Sequence, residues 1–217
     1  MTTISDYTTL QSAAVEYLGR DQDATLVARV PTFIQFFEAK MNRDLRHRKM
    51  EQRSTTTVDT SDTEPEFISL PSDFQSMQRI RLSSYTGKPS IDYRSGTQAD
   101  DYRFKNANTT GRPLFYTVVG DEIELLPTPD QNYTIEMVYR KYIPALASYS
   151  TNWLLSLAPD LYLYGTLLEA EPYLKNDPRI ATWGLGYKTA LDSLNEAQIS
   201  ADFATNPMQM RTSGVTP

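Results

Sequence analysis

The sequence lacks cysteine and has a single histidine, His47, in 217 residues. Disulfides, thiolate zinc sites and cysteine nucleophiles are therefore excluded, so stability must come from packing. A lone histidine at a basic helix end is typical of a solvated surface group rather than of a general base. No stretch approaches the roughly 18 apolar residues that span a bilayer, and the N-terminal residues lack the basic and apolar regions of a signal peptide. We expect a soluble chain without a membrane partner, metal or cofactor.

Motifs that carry chemistry are also scarce. Gly184-Leu-Gly186 lies in a helical pattern and Gly111-Arg-Pro113 precedes a strand with no helix after it, so neither predicts a phosphate-binding loop. Asp100 and Asp101 are adjacent, which sets no geometry for a catalytic carboxylate pair. The run from Asp59 to Glu66 has four carboxylates without the spacing or central glycine of a calcium hand, and predicts an acidic loop. We expect no catalytic residue and no enzymatic activity.

The net charge of −6 argues against a dedicated nucleic-acid-binding protein, which normally has a basic face. One run is nonetheless basic, and it contains Lys40, Arg43, Arg46, His47, Arg48, Lys49 and Arg53. A solvated helix end with cations at the negative pole of the macrodipole explains this run without a function. The alternatives are contact with an acidic neighbouring subunit or with passing DNA. They make five residues candidates for an interface or channel: Arg43, Arg46, Arg48, Lys49 and Arg53.

Two helices are predicted at the N-terminal end. The first, capped by Ser5 or Thr3 and ending at Gly19, has apolar residues at helical spacing. The second begins near Asp23, and Pro31 either kinks it or begins a new helix. Its apolar side consists of Phe33, Ile34, Phe37, Met41 and Leu45. Both helices are therefore expected to pack through one face.

The middle of the chain favours strands and turns. Residues 114–119 and 122–126 are β-rich and flank Gly120-Asp121, which predicts a hairpin with a type II′ turn. Residues 133–142 alternate as a half-buried antiparallel strand does, with Tyr133, Ile135, Met137 and Tyr139 on one side. Weaker strands are expected at 66–70 and 77–83. Residues 97–102, between the second of these strands and the hairpin, predict one helical turn capped by Thr97.

Helices return after Pro144. Apolar residues cover several faces of 159–175, which indicates a helix buried on more than one side. The next helix opens with Asp177 as cap and Pro178 in the first position, and runs to about Ala204. The C-terminal tail, residues 205–217, shows no hydrophobic periodicity, so we expect it to be mobile in the free chain and to order on binding. Its candidate interface residues are Asn206, Met208, Met210 and Arg211.

These patterns predict an α+β fold, in which N- and C-terminal helices form a helical bundle around an antiparallel β insertion. The expected segments are N-terminal helices at 1–52, a β region at 53–145, C-terminal helices at 146–204 and a flexible tail at 205–217.

The order of several motifs resembles the head-to-tail adaptor (connector) family of short-tailed bacteriophages, similar to tail tubular protein A. The resemblance extends from about residue 5 to residue 200. It is carried by Glu16-Tyr-Leu-Gly-Arg20, by 30–51, by Leu70-Pro-Ser-Asp-Phe74 leading into Ile80-Arg-Leu82, by 111–129, by 139–146, and by Thr151-Asn-Trp-Leu-Leu155 before 159–165.

The resemblance implies a structural virion protein at the head-tail junction, assembled in the cytoplasm of the host bacterium. Copies of the chain, commonly twelve, would form a ring under the portal protein and carry the tail or nozzle protein. DNA would pass through the ring without sequence-specific binding. The family has no catalytic residues to carry over. The alternative is another tail-side structural or host-receptor-interaction component, also without enzymatic activity.

Overall fold

The computed structural model describes residues 3–106, 109–175 and 177–203, the last three by their backbone only. In chain order the helices and strands are α1 Tyr7–Leu18, α2 Ala24–Asp44, a 3-10 turn Arg48–Met50, β1 Glu51–Thr57, β2 Phe67–Ser69, β3 Phe74–Leu82, β4 Asp92–Tyr93, α3 Gly96–Lys105, β5 Phe115–Val119, β6 Glu122–Leu126, β7 Thr134–Lys141, α4 Leu146–Tyr149, α5 Trp153–Leu157, α6 Pro159–Leu174 and α7 Ile180–Phe203. The α+β fold class is confirmed, with helices at both ends of the sequence and strands in the middle.

The described residues form two compact units. The helical unit comprises the described parts of Met1–Lys49 and Ile143–Pro217, and the β unit is the continuous stretch Met50–Tyr142. The β unit thus interrupts the sequence of the helical unit between Lys49 and Ile143.

The ends of α1 show how local chemistry sets helix boundaries. Asp6, rather than Ser5 or Thr3, is the N-cap: its carboxylate accepts the Thr9 N–H at 2.9 Å, and Thr9 Oγ1 accepts the Asp6 N–H at 3.0 Å. This reciprocal pair satisfies two donors that the first turn leaves unpaired. Gly19 ends α1 with φ 66°, as predicted, in the left-handed region that glycine adopts without strain.

Helix α2 runs without a break from Ala24 to Asp44, with Pro31 inside it and Asp23 as its N-cap. The Asp23 carboxylate accepts the N–H groups of Thr25 and Leu26, both at 3.1 Å. The predicted apolar side is confirmed, because all five of its residues are buried: Phe33, Ile34, Phe37, Met41 and Leu45. Helix α6 is buried on several sides as expected, and Phe37 packs edge-on against its Tyr162 ring at 4.9 Å between centroids.

A buried hydrogen-bond network fixes the chain as it returns to the helical unit. Glu38 on α2 is buried, and its Oε1 accepts the Leu146 N–H at 2.9 Å and the Tyr162 hydroxyl at 3.2 Å. Asn152 donates to Tyr162 Oη at 2.7 Å and to the Pro144 carbonyl at 2.8 Å. Burial raises the pKa of the Glu38 carboxyl, and the two donated hydrogen bonds oppose that rise only in part.

Helix α7 begins at Ile180, two residues later than predicted, after a turn at Asp177 to Arg179. Arg179 contacts Asp177 at 2.7 Å, and this neighbour lowers the pKa of the Asp177 carboxyl to about 2. The same guanidinium donates to the carbonyls of Tyr17 and Leu18 at 2.9 and 3.1 Å. Those carbonyls end α1 and have no partner within their own helix, so Arg179 ties α7 to α1.

The β unit contains two sheets. One has three strands in the order β1-β7-β3, all antiparallel, and the other has four in the order β2-β6-β5-β4. The predicted hairpin is confirmed: Val119 pairs with Glu122 across Gly120-Asp121, and φ is positive only at Gly120, as a type II′ turn requires. Strand β4 was not predicted and pairs parallel to β5. The helical turn expected at 97–102 is a longer helix, α3, with Ser95 rather than Thr97 as its cap.

Both sheets contribute to the β-unit core. Ile80 and Leu82 come from β3, Ile123 and Leu125 from β6, and the predicted apolar side of 133–142 supplies four more buried residues: Tyr133, Ile135, Met137 and Tyr139. The alternation predicted for β7 is therefore confirmed on this side of the strand. The Tyr139 hydroxyl donates to Asp73 at 2.8 Å, and burial together with this carboxylate raises its pKa to about 12.

Candidate interaction surface

The basic run is divided between the two units. Arg43 lies in the last turn of α2, and Arg46, Arg48 and Lys49 follow in the turn after Leu45. All four are exposed and belong to the helical unit. Arg53 lies on β1 in the β unit. Four of the five predicted cations therefore lie together on one short segment, and the fifth, Arg53, lies on strand β1.

His47 holds that segment in place. This residue is 6% exposed, and its ring stacks on Trp153 with centroids 5.0 Å apart. The His47 Nδ1 accepts the Lys49 N–H at 3.1 Å. The expectation of a solvated histidine is wrong, because the chain turns the ring inward against α5. The buried ring instead fixes the backbone that presents Arg46, Arg48 and Lys49 to solvent.

A groove of about 320 Å³ opens beside this turn. Its basic side is formed by Arg48 and Lys49, and its apolar floor includes Leu194 and Ala158. The remaining wall comes from Leu157, Asp160, Ala190, Ser193, Ala197 and Gln198, together with His47. The groove combines cations with small and apolar side chains, which suits a contact with another macromolecule better than a reaction centre.

Arg53 binds a buried carboxylate. Glu136 on β7 is 1% exposed. Its Oε2 accepts a hydrogen bond from Arg53 Nη2 at 2.7 Å, and its Oε1 forms an ion pair with Arg81 Nη2 at 2.6 Å. The hydrogen bond from Arg53 is the main cause that lowers the pKa of Glu136, and Arg81 adds to it. The Arg53 side chain is still largely exposed, with 65% of its surface in solvent. Its charge is therefore partly balanced within the sheet.

The sequence did not predict this cluster, because its members are far apart along the chain. Arg53, Arg81 and Glu136 meet only once β1, β3 and β7 are paired. A signal was present in the strand predicted at 133–142, because Glu136 lies in its middle and a carboxylate that becomes buried needs charged or hydrogen-bonding partners. Strand order was needed to identify those cations.

Other predicted features are placed as follows. Asp59, Asp62 and Glu64 are exposed in the loop between β1 and β2. Within the ranges that the structure covers, no group of three or more acidic or histidine side chains is arranged to hold a metal ion. No helix in those ranges is long and apolar enough to cross a membrane. The tail candidates Asn206, Met208, Met210 and Arg211 lie outside the described residues.

Comparison with known proteins supports the resemblance seen in the motifs. The family model described as SU10 adaptor protein matches residues 5–211, which is nearly the whole chain. No curated protein matches this sequence. The family expectation is thereby confirmed, and the chain belongs to the SU10 adaptor protein family of bacteriophage structural adaptors.

Proposed function

We propose that this protein is a head-to-tail adaptor that binds beneath the portal protein and joins the capsid vertex to the tail. The observation that carries the proposal is the family match over residues 5–211. The α+β fold, with terminal helices and a β insertion, supports it. The role is structural and not catalytic, and its place is the virion at the head-tail junction after assembly in the host cytoplasm.

Copies of the chain form a ring, with twelve as the expected number, around a channel through which DNA passes without sequence-specific contacts. A ring built by rotation has heterologous interfaces, so each subunit must offer two different and complementary surfaces. The division of charge supports this arrangement, because exposed cations at Arg43 to Lys49 and exposed carboxylates at Asp59 to Glu64 lie on different units of one chain.

The first test mixes the chain with the portal protein of its own phage and weighs the product by native mass spectrometry. A portal with a complete set of adaptor copies is the expected product, and its mass gives the stoichiometry. Portal rings that remain free of the chain would contradict the proposal. A tail-side or host-receptor-interaction component would then be the better account.

The exposed cations at the end of α2 are proposed to face an anionic surface, either channel DNA or an acidic neighbour. Reversing Arg46 and Arg48 together to glutamate should impair ring assembly or portal docking. Arg29→Glu with Lys88→Glu is a matched control, because both residues are exposed and lie outside the basic run. Normal docking and normal ring mass in the Arg46/Arg48 variant would remove these residues from the proposed interface.

Residues 206–217, with Asn206, Met208, Met210 and Arg211, are proposed to order against the portal or an adjacent adaptor. Ordering a segment on binding costs entropy but keeps the free chain soluble until its partner is present. Deleting 206–217 should weaken portal binding, measured by titration of labelled portal. Unchanged affinity would assign the tail no part in docking.

A further inference from the structure

One face of the three-stranded sheet gathers four arginines from three strands. Residues directly opposite each other on paired strands lie on the same face. Arg81 is opposite Glu136, Arg53 and Arg79 are opposite Val138, and Arg140 follows Glu136 by four residues on β7. These four arginines therefore share the face that is turned away from the core residues Ile80, Ile135 and Met137. We name it the arginine face.

The arginine face is positively charged in an acidic protein. Its carboxylates are Glu136 and Glu51, which is opposite Arg140. Four arginines against two glutamates leave a net charge of +2 on this face, whereas the whole chain carries −6. Arg79 is exposed, and Arg53 and Arg81 keep 65% and 29% of their side-chain surface in solvent. The face is thus accessible to an anionic partner.

Glu136 organises the face before any partner arrives. Its two oxygens bind Arg53 and Arg81 from opposite sides, so both guanidiniums are held close together on the sheet. A guanidinium has five N–H donors, and one contact with Glu136 leaves donors for a further carboxylate. Side chains already fixed by such contacts lose less conformational entropy when a partner binds.

The chain also carries a matching acidic segment. Residues 59–66, which we name the acidic loop, include Asp59, Asp62, Glu64 and Glu66. Its first part is ordered: Asp59 accepts the Ser61 N–H at 2.9 Å, and Thr60 donates to Asn132 from its N–H and hydroxyl at 3.0 and 2.9 Å. The exposed carboxylates of Asp62 and Glu64 are presented from this fixed base.

We infer that the arginine face of one copy binds the acidic loop of the neighbouring copy. This rests on the proposed function, because the neighbour is the adjacent subunit of the proposed ring. The pairing gives each subunit the two unlike surfaces that a heterologous interface needs. A net charge of +2 is small for a duplex, since DNA-binding surfaces commonly neutralise about six to ten phosphates. A short loop with a few carboxylates matches it better.

Charge reversal with rescue tests the pairing. Arg79→Glu changes one exposed arginine of the face. Arg53 and Arg81, which contact Glu136, and half-buried Arg140 are left intact so that the sheet is not disturbed. Asp62→Lys with Glu64→Lys changes the loop. Each variant should lower the association constant between copies by roughly five- to tenfold, because the reversed charges repel where the wild-type charges attract. Combining all three substitutions in one chain should recover part of the lost association, because the new carboxylate on the face and the two new ammonium groups on the loop again have opposite charges.

The matched control is Lys88→Glu, which alters the net charge as much as Arg79→Glu but lies in an exposed turn outside the arginine face. Association is measured by sedimentation velocity and by native mass spectrometry of portal complexes, and circular dichroism verifies the fold of each variant. Wild-type association should weaken as sodium chloride rises from about 50 to 300 mM, because salt screens exposed pairs.

The outcomes separate this inference from the proposed function. If Arg79→Glu and the loop variant form complete rings on the portal as the wild type does, the pairing is wrong and the adaptor role stands. If the wild type does not bind portal, the adaptor role fails, and self-association of the chain in solution then tests the pairing. Weaker self-association in both variants, with rescue in the combined variant, supports the pairing. Absence of self-association in the wild type overturns the pairing. If Arg79→Glu lowers binding to a short DNA duplex but leaves association between copies intact, the partner is a polyanion and the pairing is also overturned.

Discussion

Glu136 and Glu38 are both buried carboxylates, yet their surroundings affect them in opposite ways. Glu136 is held between two arginines, and its pKa is lowered chiefly by the hydrogen bond from Arg53. Glu38 has no cation among its hydrogen-bond partners, and burial raises its pKa. One carboxylate therefore stabilises the fold when it is charged, and the other when it is protonated.

Glu136→Gln should destabilise the β unit at neutral pH, because two arginines lose their charged partner. The folded pKa of Glu136 lies below its ordinary value of 4.5, so its stabilisation is present above about that pH and disappears as the pH falls through the folded pKa. The gap in unfolding free energy between wild type and variant should narrow from pH 7 to pH 3.5. Urea denaturation at several pH values measures it, with Glu122→Gln as the exposed control. A difference in unfolding free energy that stays constant with pH would show that the ion pairs contribute nothing to stability.

Glu38→Ala should destabilise the helical unit by about 2 kcal/mol, because the Leu146 N–H loses its acceptor in a buried position. Glu38→Gln keeps an acceptor and removes the charge, so its effect at pH 7 should be smaller. The folded pKa of Glu38 is raised, so the wild type gains stability relative to Glu38→Gln as the pH falls through that pKa toward 4.5. Thermal denaturation at pH 7 and pH 5 compares the three. The opposite trend would mean that Glu38 has a charged partner in solution.

At the level of helices and strands, local signals were sufficient wherever the determining residues were neighbours in sequence. The spacing of Phe33, Phe37 and Met41 predicted the buried side of α2, and Gly120-Asp121 predicted the hairpin between β5 and β6. Strand β4 was missed because its two residues are too few to show an alternating pattern, and because its pairing with β5 is a tertiary contact. The burial of His47 was missed for the same reason, since Trp153 lies about a hundred residues further along the chain.

Two helical glycines should respond oppositely to alanine. Gly165 on α6 lies against the Phe37 ring, which a Cβ at this position would overlap, whereas a Cβ at Gly184 on α7 would meet open space. Gly165→Ala should cost about 1 to 3 kcal/mol through overpacking. Gly184→Ala should stabilise α7 by about 0.5 to 1 kcal/mol, since alanine loses less backbone entropy in a helix. Denaturant titration of both variants decides, and a neutral Gly165→Ala would show that Phe37 can move aside.

For the whole molecule, the two units raise the question of independent folding. Among the residues that the structure describes, the hydrophobic core of the β unit is formed by residues between Val58 and Tyr139. We propose that each unit is a separate domain.

A fragment of residues 50–142 should fold alone with a cooperative transition, because the described core and both sheets lie within it. Near-ultraviolet circular dichroism and thermal unfolding of the fragment test this, with Ile135→Asp as an unfolded reference. A fragment that lacks a cooperative transition would show that the β unit depends on the rest of the chain. The isolated fragment should also retain the pH dependence expected for Glu136.

The register of β1 with β7 has a consequence for how this protein can change over generations. Glu51 pairs with Arg140, so the chain enters and leaves the β unit on adjacent antiparallel strands. Such partners lie about 5 Å apart, a gap that a single short connection spans. Insertions, deletions or exchanges can therefore change the segment between Glu51 and Arg140 during evolution while the helical unit keeps its own sequence. The insertion is where we expect lineages to diverge as their tails diverge.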